Sequence, residues 1–131
     1  MAKIVLIGAG SHVFARHLII DFLAYPELRD STISLMDINQ ERLNLIKGFA
    51  DKVVKQHGFN TTIESTTSRQ EALEDADYVI VSIRVGGVEA EKPDLLIPDK
   101  YGISQAIGDT IGPGGLFYGF RHIPVLLDIC R

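Results

Sequence analysis

An α/β fold, in which a parallel sheet carries helices on both faces, is predicted for these 131 residues by three features. Short β-branched and aliphatic runs alternate with segments whose apolar residues recur at helical spacing. Two of the runs, Ile4-Val5-Leu6-Ile7 and Tyr78-Val79-Ile80-Val81-Ser82-Ile83, are almost continuously apolar, as strands buried on both faces are. The turn Gly8-Ala9-Gly10 follows the first run and leads into a helical pattern.

The elements follow in order. Ile4 to Ile7 stops at Gly8, and from Ser11 to Ala24 the residues Val13, Phe14, Leu18, Ile19, Phe22 and Leu23 fall on a helical face, with Pro26 just beyond. Thr32 to Met36 is a second strand closed by Asp37. Asn39 can then cap a helix carrying Leu43, Ile46, Phe49, Ala50 and Val53, which Gly58 ends. Thr61 to Thr66 is a more polar strand suited to a sheet edge, and Ser68 with Glu71 forms a capping box for a short helix through Ala72 and Leu73. Tyr78 to Ile83 is the fourth strand. Beyond it, over residues 84–131, loops predominate in a Gly/Pro-rich stretch. A helix lies within Pro93 to Tyr101, its length left open by Pro98, and a partial helix runs from Leu116 to Cys130. In that helix Phe117, Phe120, Val125 and Leu126 form the apolar face, and Pro124 should kink or restart it.

Composition bounds the function. A content of 46% hydrophobic and 23% charged residues suits one ordinary globular domain and excludes a second full one. Seventeen acids against 13 bases give a net charge of -4, and no run of Lys or Arg is present, which argues against nucleic acid or an anionic membrane as partner. The single cysteine, Cys130, excludes an intrachain disulfide and a zinc site built from Cys clusters; it reads as a small buried apolar residue rather than a nucleophile. Lys3 and the apolar run after it could pass for a signal peptide, but the run reads better as a buried strand entering a Gly turn. No uncharged apolar stretch reaches the roughly 18–20 residues that span a bilayer. A soluble, cytoplasmic protein is the expectation.

Chemistry concentrates at two glycine-bearing runs. In Gly8-Ala9-Gly10-Ser11-His12-Val13, Gly8 permits a tight turn and Gly10 lets backbone approach a pyrophosphate, while the helix start offers free N–H groups and a positive dipole end. This is the context of a dinucleotide site, with Val13 in the third position of the fingerprint, where helix and strand should then pack slightly less closely. Asp37, at the end of the second strand, stands where the ribose hydroxyls of NAD are held and a 2′-phosphate is repelled. It lies 27 residues after Gly10 instead of the usual roughly 20, a surplus that the loop Tyr25 to Ser31 accounts for. The simpler alternative for Asp37 is a solvated cap of the next helix, and for the glycines a strand-to-helix corner without a ligand. His12 and His17 lack a second ligand at metal spacing and read most simply as surface or helix-start histidines. The second run, Gly108-Asp109-Thr110-Ile111-Gly112-Pro113-Gly114-Gly115, is either a loop whose amides approach a ligand, with Asp109 as its carboxylate, or a flexible connection.

Taken with Leu35-Met36-Asp37-Ile38, Ile83-Arg84-Val85-Gly86-Gly87 and Ile97-Pro98-Asp99-Lys100-Tyr101-Gly102, these runs make the whole chain resemble the amino-terminal part of the family 4 glycoside hydrolases, the NAD- and manganese-dependent glycosidases. Members are normally more than three times this length, so the chain looks like an N-terminal fragment. The resemblance implies cleavage by oxidation, elimination, addition and reduction. The sugar is oxidised at C3 at the expense of bound NAD, a base removes the acidified C2 proton, the C1 leaving group departs, water adds and the hydride returns. Manganese polarises the C2 and C3 oxygens. By the same resemblance Gly8, Gly10, Ser11, His12, Asp37, Ile83 and Arg84 would hold NAD. Asp109 would support the catalytic tyrosine base. The metal-binding Cys and His, the acid and the tyrosine would lie downstream of position 131, leaving no metal ligand in this chain.

One departure bears on substrate. Phospho-glycosidase members carry an Arg where an ungapped match puts Glu91, whose charge would repel a sugar phosphate, and Gly-Asp-Thr in place of Gln-Glu-Thr points the same way. The favoured substrates are therefore unphosphorylated α-galactosides, α-glucosides or uronides. The fold these readings imply is a Rossmann-type sheet of order 3-2-1-4, incomplete in this chain, with NAD across the carboxyl ends of strands 1, 2 and 4. The intact enzyme would continue the sheet, whereas in this chain an unpaired edge and exposed apolar faces on the fourth strand predict self-association or instability; a homo-oligomer is a separate expectation. The alternatives are a lactate- or malate-type dehydrogenase domain, for which Arg84 is the one candidate loop arginine, and a non-catalytic NAD-binding module.

Overall fold

The computed structural model describes residues 1–108 and 111–131, which divide into two compact units, Met1–Ile83 and Arg84–Arg131. The first holds four parallel strands, β1 (Lys3–Ile7), β2 (Thr32–Met36), β3 (Thr62–Thr66) and β4 (Tyr78–Val81), in the order β3-β2-β1-β4. Register aligns Leu6 with Leu35 and with Ile80, so residues of one parity share a face. Helices α1 (His12–Ala24) and α2 (Gln40–His57) pack Ala15, Ile19, Leu23, Leu43, Ile46 and Ala50 against Leu6, Ile33 and Leu35 on that face. Val5, Ile7, Ser34 and Met36, of the other parity, are buried as well, which is why β1 can be apolar at four consecutive positions, Ile4 to Ile7. The short α3 (Arg69–Leu73) packs against β1, β2 and β3.

Local signals set the ends of these elements. Asn39 caps α2 by accepting the Arg42 amide at 3.0 Å, and Gly58 closes it in the left-handed region at φ 66°. Ser68 accepts the Glu71 amide at 3.3 Å, but the return half of the capping box runs through Thr66: its hydroxyl donates to Glu71 at 2.6 Å and accepts the Ser68 amide at 3.0 Å. The loop between α1 and β2 contains a 3-10 turn over Pro26–Leu28, which uses the extra residues between Gly10 and Asp37.

Several expectations need correction. Val13 and Phe14 lie on the exposed side of α1, whose buried face starts at Ala15; Val13 therefore does not wedge helix from strand. The fourth strand ends at Val81, because β1, its pairing partner, itself ends at Ile7 opposite that residue. Tyr78 and Val79 of this edge strand are exposed.

The second unit is helical where loops were expected to predominate: α4 (Gly87–Asp99) and α5 (Pro113–Ile129) pack together. Both helices run through internal prolines, and Pro124 neither interrupts nor restarts α5. Each proline leaves the carbonyl four residues earlier without its helical donor. For Pro93 and Pro124 those carbonyls belong to the exposed Glu89 and Phe120. For Pro98 it belongs to Asp94, and Gly114 of α5 lies so close to it that a Cβ would overlap the carbonyl oxygen. The assigned apolar face of α5 is also turned outward: Phe117, Phe120 and Leu126 are exposed and Val125 half-buried, whereas Gly114, His122 and Ile129 are buried. Cys130, expected inside, is exposed, since it caps the helix one position past Ile129 and so turns away from that face.

Candidate cofactor site

Candidate residues occur in both units. In the first unit β1 ends against Gly8, whose φ of +89° few side-chain-bearing residues adopt; a Cβ there would overlap the carbonyl oxygen of Ser82 and come within 3.2 Å of Ile83 Cγ2. The Gly8 and Ala9 amides both donate to the Met36 carbonyl, at 2.9 and 3.0 Å, which ties the turn to the end of β2. That tie brings Asp37 to Gly10. The Gly10 amide donates to Asp37 Oδ2 at 2.8 Å and the Asn39 amide to Oδ1 at 2.8 Å. A Cβ on Gly10 would sit 2.6 Å from Oδ2, so the glycine makes room for the carboxylate as well as for any ligand.

Each Asp37 oxygen thus spends one acceptor site on a backbone amide and keeps another for a hydroxyl donor. The adjoining start of α1 is open: Ser11, its N-cap residue, makes no side-chain capping bond, the first turn holds no acidic residue, and Ser11 through Phe14 are exposed. Donors that α2 and α3 cap with Asn39 and Ser68 are left for an anion here. A dinucleotide's chemical needs, a close-approach turn, free amides and a fixed carboxylate, are met by Gly8, Gly10, Ser11 and Asp37, with Ile83 beside the turn. His12 is exposed at the helix start.

In the second unit Arg84 Nη1 pairs with Glu91 Oε2 at 3.0 Å; the arginine side chain is half exposed and the glutamate mostly buried. Arg84 is therefore held by a carboxylate, which weakens it as the free loop arginine that the dehydrogenase alternative needs. Gly108, buried, lies where a Cβ would meet Glu91 Cγ at 3.0 Å. Asp109, the carboxylate assigned to support the catalytic base, lies outside the described residues. Asp94, buried, is bound by both terminal nitrogens of Arg121, and hydrogen bonding to that carboxylate holds the guanidinium above its usual range.

The buried His122 went unseen in the sequence. Its Nε2 accepts the Val85 amide at 3.0 Å and its Nδ1 faces the Tyr118 carbonyl at 2.7 Å. The available signal was weak: a histidine on an apolar helix, four residues after a tyrosine.

Residues 3–131 match the model of the family described as family 4 glycosyl hydrolase. The chain is 47% identical over 129 residues to an α-galactosidase of Rhizobium meliloti (strain 1021), covering 98% of this chain and 26% of the relative. It is 39% identical over 132 residues to an α-galactosidase of Bacillus subtilis (strain 168), covering 100% of this chain and 31% of that one. Among solved structures, a 6-phospho-β-glucosidase from Thermotoga maritima with manganese, NAD+ and glucose-6-phosphate superposes with a TM-score of 0.85 at 28% identity, over 99% of this chain and 30% of that one. The chain thus spans less than a third of the length of these relatives.

Proposed function

The chain belongs to the family 4 glycosyl hydrolases, and from that premise we propose that it supplies the NAD-holding part of a glycosidase that cleaves unphosphorylated α-glycosides. The observation that carries the reading is the clamp on Asp37, whose two oxygens are fixed by the Gly10 and Asn39 amides beside an uncapped helix start. The relatives named α-galactosidase and the NAD and manganese of the Thermotoga maritima structure support it. When bound, NAD supplies a two-electron hydride acceptor and donor next to the sugar. Gly8 and Gly10 keep the turn open to the pyrophosphate, Ser11 and the first amides of α1 meet its charge, and Asp37 orients the ribose through its remaining acceptor sites. His12, Ile83 and Arg84 complete the cofactor contacts in this proposal, and Asp109 supports the base. The manganese ligands, the acid and the tyrosine base are assigned to the rest of the parent.

Preference for an unphosphorylated sugar is supported by the Arg84–Glu91 pair. A phosphate drawn to Arg84 would have to displace Glu91, and Glu91 itself is repelled by a dianion. A second copy of this chain is proposed as its partner because Tyr78 and Val79 are exposed on the edge strand. Sedimentation velocity across a concentration series checks this on the chain itself: a concentration-independent monomer contradicts it. Among the described residues no helix is long and apolar enough to cross a membrane, and a cytoplasmic site of action is part of the same proposal.

Calorimetric titration with NAD and NADP tests the cofactor reading. NAD should bind more tightly than NADP, and Asp37→Ala should weaken NAD by about tenfold or more, the worth of a hydrogen bond to a charged group. A folded chain that binds neither dinucleotide refutes it.

A further inference from the structure

Resting on the cofactor reading above, we propose that His122 is a positioning residue that fixes the backbone of residues 84–87 and with it the base from which Arg84 projects. This segment lies beyond β4, outside the ladder of the sheet, and runs into Gly87, the first residue of α4. Its own conformation does little to stiffen it, because Gly86 and Gly87 both sit in the left-handed region, at φ 81° and 61°, where glycine is freest. The backbone contributes a turn bond from the Gly87 amide to the Arg84 carbonyl, 3.1 Å, and a bond from the Ala90 amide to the Gly86 carbonyl, 3.2 Å; neither engages the Val85 amide. The Val85 amide, which points out of that turn, is taken by the His122 ring at 3.0 Å.

The ring is built to accept. A carbonyl cannot donate, so the 2.7 Å contact with Tyr118 O makes Nδ1 the protonated nitrogen and leaves the lone pair of Nε2 for Val85. The imidazole also stacks on Tyr118 with centroids 3.8 Å apart and planes 18° from parallel, and the residue is almost wholly buried. Rotation and the other tautomer are both opposed. With the Glu91 carboxylate on the Arg84 side chain at 3.0 Å, helices α4 and α5 hold this four-residue segment at two consecutive positions.

The test uses the full 131-residue chain with three proteins: wild type, His122→Phe, which keeps a stacking ring without an acceptor, and His122→Gln, which restores an acceptor. Nitrogen NMR should show an unprotonated Nε2 in wild type. The Val85 amide should exchange with solvent at least about tenfold faster in the Phe variant than in wild type, and NAD affinity should fall by about tenfold with partial recovery in the Gln variant. Equal Val85 protection in wild type and the Phe variant overturns the tether. Faster exchange with unchanged NAD affinity in a folded Phe variant overturns the positioning role. If wild type itself binds no NAD, the cofactor reading fails together with the positioning role that rests on it, and the Val85 exchange rates still show whether the tether exists.

Discussion

In residues 1–83 the largest fully buried side chains are Ile19, Ile33, Leu35, Leu43 and Val5, and the buried hydroxyls of Ser31 and Thr61 each bond a nearby carbonyl, at 2.6 and 2.8 Å. Residues 84–131 bury Asp94 and His122 between two helices whose apolar side chains largely face outward. The first unit is held by apolar area, which tolerates small shifts and gains roughly 1.5–3 kcal/mol per buried Leu, Ile or Val. The second depends on paired groups whose partners must be present and correctly aimed: Asp94 with Arg121, His122 with Val85, Arg84 with Glu91. Binding groups need fixed positions more than they need a large core. The Asp37 clamp in the first unit, where two backbone amides aim a carboxylate, is the same device set into an apolar frame.

The largest effect belongs to the turn that joins the apolar frame to its site. Gly8→Ala adds a Cβ in the left-handed region, worth about 1–2 kcal/mol, and drives it into the Ser82 carbonyl, which is backbone and cannot rotate away. Destabilisation well above about 2 kcal/mol is expected in a denaturant melt, together with loss of NAD binding by any chain that still folds. A variant as stable as wild type would mean that β1 and β4 can separate at this end without cost, contrary to the close approach of Gly8 to Ser82 and Ile83.

The unequal legibility of the two units in the sequence has the same origin. Strand order, the bounds of β2, the Asn39 and Gly58 ends of α2, and the grouping of Gly8, Gly10 and Asp37 were all readable, because apolar periodicity and turn glycines act locally. The start of α4 was missed because two prolines and two glycines argue against a helix, and nothing local shows that Gly114 will pack on the carbonyl that Pro98 leaves bare. The buried face of α5 was misassigned for a related reason. Hydrophobicity favours Phe117 and Phe120, whereas the side that meets α4 is chosen by Gly114, Arg121 and His122, whose partners lie from 20 to 37 residues away. Cys130 was placed inside by residue type alone, although position relative to Ile129 decides its exposure.

Asp94→Asn sharpens the contrast with a smaller and more local effect. The substitution keeps the shape of the side chain but removes its charge, and one of the two acceptor oxygens becomes a donor facing a guanidinium donor. Among the described residues Arg121 Nε is already buried without a hydrogen-bond partner, and Asp94 is the one carboxylate that acts on the guanidinium. Removing one member of a buried pair costs more than the pair contributes, because the remaining charge keeps its desolvation penalty. Amide exchange should therefore quicken across α4 and α5, from Gly87 to Asp99 and from Pro113 to Ile129, while the amides of β1, β2, α1 and α2 keep their protection. Replacing both partners, Asp94→Leu with Arg121→Met, should recover most of that protection if the pair serves stability alone. If protection is restored but the Arg84–Gly87 amides stay unprotected, the pair also aligns α5 so that His122 meets Val85. Uniform quickening through residues 1–83 would show instead that the two units unfold as one, and the division between an apolar frame and a polar tie would not survive it.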